Sequence, residues 1–305
     1  MEWVFLISGI GAAIVGGDLF VRGAAGISAR VGVSTAFLGA TLGALATSFP
    51  ELSVALISAI EGRPEISLGD VLGSNVVNIS LVLAIGLCFA PLQAPRSTRR
   101  IDFPAALLVP AVLFFLTRNG CVSRIDGILL LGFFCLWMAL SIGHTFRSRI
   151  PPIPESHKKS NGLAATAAGL ALLGGAGHFI VTGSARIAED FGISEFSVGA
   201  TLVAFGTSTP ELATLLIAKS RRQSALGLGT ILGSNIVNGL LIAGLAATIH
   251  PIRVDGLSVA ITLGSGILST LLILPNREGW IGKSRAPLLL ACYASTTFLL
   301  TTIRR

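Results

Sequence analysis

The sequence predicts an all-α membrane protein, with ten transmembrane helices in two inverted five-helix repeats and broken helices 2 and 7. Two observations support this fold class. Of the 305 residues, 52% are hydrophobic and 12% are charged, and apolar runs of about 20 residues recur from end to end. The chain is also duplicated at a constant offset. A water-soluble globule is excluded, because no polar domain fits between the apolar runs.

The apolar runs predict ten helices that cross a hydrocarbon core of about 30 Å. The first run has no basic segment before it, and no convincing cleavage site follows it, so we expect a retained helix rather than a signal peptide. The helices are predicted at residues 3–21, 34–60, 67–90, 103–117, 125–145, 163–183, 194–219, 224–248, 256–274 and 285–303.

Two motifs each occur twice, in the same order and at the same spacing. The segment GATLGALATSFPEL at residues 39–52 returns as GATLVAFGTSTPEL at residues 199–212, and LGSNVVN at 72–78 returns as LGSNIVN at 232–238. Both offsets are 160 residues (211 − 51 and 238 − 78). The chain is therefore a duplicated unit.

The odd number of spans in each unit determines how the two units are oriented. With five crossings per unit, each element of the second unit enters the membrane from the side opposite to its counterpart. Inverted repeats of this kind are typical of secondary transporters with a site at the bilayer midplane. Fifteen of the 22 Lys and Arg residues collect on one side, which places both termini outside the cytoplasm.

These patterns predict three regions. The first repeat covers residues 1–145, a cytoplasmic linker covers 146–161, and the second, inverted repeat covers 162–305. The linker is polar, carries three prolines and two lysines, and is too short for a regulatory domain. We therefore expect a simple tether and no separate calcium sensor.

Two glutamates, Glu51 and Glu211, lie deep within their apolar spans. A carboxylate there is costly, and it is usually protonated, paired or exposed to a hydrated cavity. Each follows a proline, which lacks an N–H and breaks the helix, so the carbonyls of Ala46 and Gly206 lose a partner. A neutral structural glutamate explains one such position, but two at equivalent positions favour a functional site.

Hydroxyl and amide side chains surround these glutamates in the sequence. The first motif supplies a Thr-Ser pair that one residue separates from each proline, and the second supplies Ser and Asn residues, with Ser74 and Asn78 on one helix face. The set contains only oxygen ligands. Calcium takes six to eight oxygens in flexible geometry, whereas magnesium requires a tight octahedron and zinc prefers nitrogen or sulfur. Calcium and sodium, of similar size, are the expected ions.

Charge balance predicts how such a site works. Two ionised glutamates neutralise one Ca²⁺, and they could instead hold sodium ions or protons, so competing ions produce exchange. An empty, doubly negative site is expensive to move through hydrocarbon, which opposes uncoupled return. A sodium/calcium antiporter is the first prediction. A proton/calcium exchanger is the alternative, and a passive cation channel fits the inverted repeat less well.

Other functions are disfavoured by the same sequence. The basic residues sit singly between apolar runs, which indicates topology signals and no nucleic-acid partner. The four cysteines are scattered without metal-ligand spacing. No nucleophile with a base and no phosphate-binding loop is present, so we expect a transporter and no enzyme, with no cofactor and no obligate protein partner. The expected surroundings are the lipid bilayer of a prokaryotic plasma membrane.

At the two repeated motifs the sequence resembles the cation/calcium exchanger superfamily, and bacterial sodium/calcium exchangers in particular. The resemblance covers essentially the whole chain. It implies that Glu51 and Glu211 are the central calcium ligands and that the first and sixth helices slide across the core to switch access. It further implies sodium or amide ligand positions at Thr47, Ser48, Thr207, Ser208, Ser74, Ser234, Asn78 and Asn238, and backbone oxygen ligands at Ala44 and Ala204.

The sequence departs from the family pattern at two positions. Ala46 stands where the family usually has Gly, which stiffens the bend, and Asn238 stands where some potassium-dependent members carry Asp. The missing carboxylate weakens the case for potassium cotransport. Asp18 and Asp70 correspond to His178 and Thr230, outside the duplicated set, so we expect them at a boundary or gate, without a role in binding.

Overall fold

The computed structural model describes residues 2–31, 37, 39–147, 162–189 and 194–302, and nearly all of this chain is helical. The first half contains α1 (Glu2–Val31), α2 (Gly39–Thr47 and Phe49–Ile60), α3 (Pro64–Phe89), α4 (Arg96–Asn119) and α5 (Arg124–Arg147). The second half contains α6 (Gly162–Glu189), α7 (Glu195–Ser220), α8 (Ser224–Ile249), α9 (Gly256–Leu272) and α10 (Ala286–Thr302). Residues 148–161, most of the predicted linker, lie outside the described residues.

Several of these helices are long and apolar enough to cross a bilayer. Within the described residues, α3, α4, α5, α7 and α8 meet that condition singly, and the two parts of α2 meet it together. Shorter apolar stretches lie at residues 7–20 of α1 and 162–172 of α6 and throughout α9. The helical nature of the fold is thus confirmed, whereas ten crossings in inverted order stay a prediction.

The degree of burial separates central from peripheral helices. The most apolar stretches of α3 and α8 are 83% and 89% buried within the protein, against 33% for α4 and 22% for α5. The outer helices expose large apolar side chains such as Phe115 and Ile125. Such side chains are suited to contact with lipid. The equivalent helices α3 and α8 therefore form the centre of the molecule.

Four short strands connect the two halves. Strand β1 (Leu92–Gln93) pairs antiparallel with β4 (Trp280–Ile281), and β2 (Cys121–Val122) pairs antiparallel with β3 (Ile252–Arg253). Each pair takes one strand from each half. Because β1 and β3 occupy equivalent positions in the duplicated sequence, as do β2 and β4, the two pairs are copies of one connection.

The helices that carry the glutamates are interrupted one turn before them. In α2 the two parts meet at Ser48 at an angle of 51°. In α7 the interruption falls at the equivalent Ser208, but the helix continues through it, and Glu195–Ser220 forms a single span of 26 residues. The predicted break is thus clear in α2 and weaker in α7.

Short π-helical turns occur in all four central helices. They cover Gly39–Gly43 and Val77–Val82 in the first half, and Gly199–Val203 and Val237–Ile242 in the second. An inserted π-turn rotates the side chains that follow it and is frequent at functional sites. Here each one lies next to a polar motif, so the local geometry of the repeat is copied along with its sequence.

Candidate functional site

The central helices of one half pack against those of the other through glycines. A Cβ atom on Gly73 of α3 would lie 2.3 Å from the carbonyl oxygen of Ala200 in α7, and one on Gly233 of α8 would lie 2.3 Å from that of Ala40 in α2. Only glycine permits this approach of two backbones. As a result, the Gly-Ser-Asn motif of each half meets the glutamate helix of the other half.

The predicted ion-binding side chains are all buried in this central region. Their exposed fraction is 0 to 1%, and it is 0% for both glutamates and for Ala44 and Ala204. The buried set contains every side chain predicted from the two motifs, namely Thr47, Ser48, Glu51, Ser74, Asn78, Thr207, Ser208, Glu211, Ser234 and Asn238.

The glutamates interact with each other across the two halves. The carboxyl of Glu51 is close enough to those of Glu211 and Asp70 for their like charges to repel each other, and it lies next to the Thr207 hydroxyl. The carboxyl of Glu211 lies next to Thr47 and accepts a hydrogen bond of 3.1 Å from the Ser234 hydroxyl. The two acidic groups thus belong to one cluster, to which both halves contribute hydroxyls.

Two hydroxyl pairs connect the halves within that cluster. The oxygens of Thr47 and Ser234 lie 3.1 Å apart, and those of Ser74 and Thr207 also lie 3.1 Å apart. These are the same two positions of the repeat, with the roles of the halves exchanged. The hydrogen bonds between the halves therefore repeat at equivalent positions of the duplicated sequence.

The asparagines form a second cross-half network. The side-chain amide of Asn75 donates to the carbonyl of Asn235 at 3.1 Å, and that of Asn235 donates to the carbonyl of Asn75 at 3.0 Å. Asn78 donates to the side-chain oxygen of Asn235 at 3.0 Å. The side-chain oxygen of Asn78 has no hydrogen-bond partner among the described residues.

Many buried oxygens in this cluster have no hydrogen-bond partner among the described residues. A buried oxygen without a partner is costly, and nearly all such groups in proteins are satisfied by protein, water or an ion. They are both oxygens of Glu51, one each of Glu211 and Asp70, the hydroxyls of Ser48 and Ser208, and the amide oxygens of Asn78 and Asn238. Such a set of hard oxygen donors fits calcium or sodium.

The donor set also restricts how a cation is held. No group of three or more His, Cys, Asp or Glu side chains in the described part of the chain is placed to hold a metal ion together. Neutral oxygens must therefore complete the coordination. The carbonyls of Ala44 and Ala204 already accept hydrogen bonds of 3.0 Å from the backbone N–H groups of Ser48 and Ser208. They also accept from the hydroxyls of Thr47 and Thr207 at 3.5 and 3.3 Å, so a cation would displace these hydroxyl hydrogen bonds.

One acidic residue of the cluster was not predicted. Asp70 is 0% exposed, and one of its oxygens accepts hydrogen bonds from Thr207 at 3.0 Å and from Ser74 at 3.4 Å. The expected boundary position is wrong, because Asp70 is buried in the cluster, whereas the expected role as a gate stays a prediction. Its position four residues before Ser74, on the same helix face, was the available signal, and the lack of an acidic counterpart led away from it.

Asp18 behaves differently from Asp70. It keeps a quarter of its side chain exposed and forms ion pairs with Arg22 and Arg221 at the edge of the core. This position agrees with the predicted boundary location. It connects α1 with the end of α7 and does not contact the buried cluster through any hydrogen bond described for it.

The sequence of this chain is similar to those of known membrane proteins. Residues 1–143 and 161–301 match the family described as sodium/calcium exchanger protein. The inner membrane protein YrbG of Escherichia coli is 28% identical over 264 residues, covering 83% of this chain and 81% of YrbG. The sodium/calcium exchanger MaX1 of Methanosarcina acetivorans is 27% identical over 327 residues, covering 92% of each chain.

A solved structure agrees with the same assignment. The sodium-calcium exchanger NCX_Mj, soaked with Na⁺ and Sr²⁺, superposes with a TM-score of 0.81 at 27% identity, over 100% of this chain and 99% of that one. The resemblance inferred from the two repeated motifs is confirmed. The chain is an integral membrane cation/calcium antiporter and belongs to the sodium/calcium exchanger protein family.

Proposed function

We propose that this protein exchanges Ca²⁺ for Na⁺ by alternating access around one midplane site centred on Glu51 and Glu211. The observation that carries the proposal is the pair of buried carboxyls from equivalent positions, three of whose four oxygens have no partner among the described residues. Two carboxylates balance the charge of one calcium ion. Their mutual repulsion makes the empty site unstable, which favours its occupation by cations.

Sodium is the counter-ion that the surrounding groups favour. The hydroxyls of Thr47, Ser48, Thr207 and Ser208 are buried like the glutamates and supply neutral oxygens, which suit a monovalent cation. The relative MaX1 and the similar solved structure NCX_Mj are both named sodium–calcium exchangers, which supports the same counter-ion. A proton can occupy the same carboxyls, and calcium uptake by proteoliposomes separates the two ions.

Helices α1 and α6 are the elements that we expect to move. A Cβ on Gly23 would lie 2.4 Å from the backbone nitrogen of Thr166, and one on Gly169 would lie 2.6 Å from that of Phe20, so the two helices are in backbone contact. The approach of α1 to α7 is looser, because a Cβ on Gly17 would lie 3.2 Å from the backbone nitrogen of Thr214. We expect the pair to slide as a unit over the core, opening the site to each side in turn.

The remaining predictions complete the proposal. The repeats are inverted, residues 146–161 are a cytoplasmic tether, and both termini lie outside the cytoplasm of a prokaryotic cell. Membrane sidedness is tested by labelling single cysteines introduced near Met1 and near Ser156 with an impermeant reagent in intact cells.

The transport proposal is tested in proteoliposomes. Vesicles loaded with sodium should take up calcium when diluted into sodium-free buffer, whereas sodium-free vesicles with a pH gradient should not. Glu51→Gln and Glu211→Gln should abolish this uptake. Uptake driven by the pH gradient alone would favour a proton exchanger, and uptake without any counter-ion would indicate a channel.

A further inference from the structure

The two halves differ at one buried position beside the paired hydroxyls. Asp70 precedes Ser74 by one helical turn, and its counterpart on α8 is Thr230; both Asp70 and Thr230 are 0% exposed. The Thr230 hydroxyl donates to the Leu226 carbonyl of its own helix at 3.0 Å and supplies no charge. The duplicated site therefore has an extra carboxylate on one side only.

This carboxylate changes the hydrogen bonds of its own half. In the second half, Ser234 donates to Glu211. The equivalent donor in the first half is Ser74, but it donates to Asp70 at 3.4 Å, and Thr207 donates to the same oxygen at 3.0 Å. Glu51 is consequently left with two unpartnered oxygens in the described part of the chain.

The second oxygen of Asp70 is itself available. It is buried and has no hydrogen-bond partner among the described residues, and the same is true of the hydroxyl of Ser67, three residues earlier on the same face of α3. The three acids do not converge on one metal position. A cation at Asp70 would therefore occupy a place beside that of an ion held by the two glutamates.

We infer that Asp70 is a third acidic ligand and a specificity-determining residue of this antiporter, holding a monovalent cation together with Ser74 and Thr207. The inference rests on the proposed function and deepens it. A single carboxylate with hydroxyl neighbours balances one positive charge. A second divalent ion at this place would lack the oxygen-rich, doubly charged environment that calcium requires.

Charge balance gives Asp70 a defined effect on selectivity. Three ionised carboxylates are neutralised by three sodium ions, whereas one calcium ion leaves a negative charge uncompensated in a low-dielectric surrounding. Asp70 therefore favours the sodium-loaded protein over the protein loaded with calcium alone. Removing its charge should weaken sodium binding more than calcium binding.

The test uses cation-induced stabilisation of the full-length protein in detergent, titrated separately with NaCl and CaCl₂ and with choline chloride as the salt control. Asp70→Asn keeps the shape of the side chain, and Asp70→Thr introduces the residue that the second half carries at this position. For both variants we expect the half-saturating sodium concentration to rise about 10-fold or more, and that of calcium to change by less than about threefold. Asp102→Asn is the matched control, since Asp102 is buried in α4 and no hydrogen bond described for it joins it to the cluster.

Three results overturn the inference: unchanged sodium affinity, an equal loss for both ions, or the same behaviour in Asp102→Asn. Retained stabilisation by calcium shows that the variants are folded. Transport is measured in parallel on the wild type, so that the two proposals fail separately. Absence of sodium-driven calcium uptake by the wild type would refute the proposed exchange, whereas the ratio of the two binding shifts decides the role of Asp70.

Discussion

Asn75 and Asn235 exchange hydrogen bonds across the centre of the molecule, each side-chain amide donating to the backbone carbonyl of the other at 3.1 and 3.0 Å. They occupy the same position of the repeat, so each residue contacts its own counterpart in the other half. The pair therefore joins the central helices α3 and α8 directly.

This network predicts an unequal effect of two similar substitutions. Asn235→Ala removes the donor to Asn75 and also the acceptor of Asn78, whereas Asn75→Ala removes one donor. Because an unsatisfied buried polar group costs about 1 to 3 kcal/mol, Asn235→Ala should lower the thermal midpoint more than Asn75→Ala does. Thermal unfolding in detergent measures both. Equal shifts would contradict the network as described.

Replacing either glutamate should lower calcium affinity without lowering the stability of the cation-free protein. Glu51→Gln and Glu211→Gln keep the side-chain volume and remove a buried charge, so the cation-free protein should be as stable as the wild type or more so. Calcium affinity should fall about 100-fold or more, which corresponds to a loss of about 3 kcal/mol. Radioactive calcium uptake and thermal midpoints without cations measure the two effects. Destabilised but active variants would assign the glutamates a structural role.

The unpartnered serine hydroxyls allow a similar test on neutral ligands. Ser48→Ala and Ser208→Ala delete hydroxyls that have no protein partner among the described residues, so stability without cations should be kept. Half-saturating cation concentrations should rise about 5- to 30-fold if each hydroxyl contributes about 1 to 2 kcal/mol to ion binding.

Ser58→Ala is the control for these serine variants, because Ser58 is also buried on α2 but donates to the Val54 carbonyl at 2.7 Å. Its transport kinetics should match those of the wild type. Cation affinity lost equally in Ser58→Ala and Ser48→Ala would attribute the effect to the helix and not to the ligand.

The close contact between halves predicts one strongly disruptive substitution. Gly73→Ala would place a methyl group 2.3 Å from a backbone oxygen that cannot move independently of α7. Overpacking costs about 1 to 3 kcal/mol or more, so we expect poor yield of folded protein and loss of exchange. Gly132→Ala should be neutral, because among the described residues no atom beyond its own helical turns lies within 4 Å of the added carbon. Size-exclusion profiles of both variants give the comparison.

Much of the candidate site could be predicted from the sequence, because the repeated motifs mark which residues occupy equivalent positions in the two halves. Glu51 and Glu211 recur at a fixed offset within apolar spans, and a buried charge has few structural explanations. The helices that carry the oxygen ligands could be predicted for the same reason. The cross-half partners of Thr47 and Thr207 could not, since they depend on which helices pack together.

The features missed from the sequence are those without a repeated signal. Asp70 has a neutral counterpart, and comparing the halves therefore removed it from consideration. The π-helical turns at Gly39–Gly43 and Gly199–Val203 depend on a single extra residue per turn, and hydrophobic periodicity does not resolve so small a shift. The two strand pairs span two residues each and are shorter than any pattern that alternation can reveal.

The strand pairs have a consequence for how the gene product could be assembled. Each pair joins one half of the chain to the other through backbone hydrogen bonds, and neither pair includes the segment that links the halves in sequence. The peptide between residues 147 and 162 is therefore not needed to hold the two halves together. Two separately translated polypeptides, split within that stretch, would keep both strand pairs and the described glycine contacts between the central helices, so we expect them to form a working exchanger.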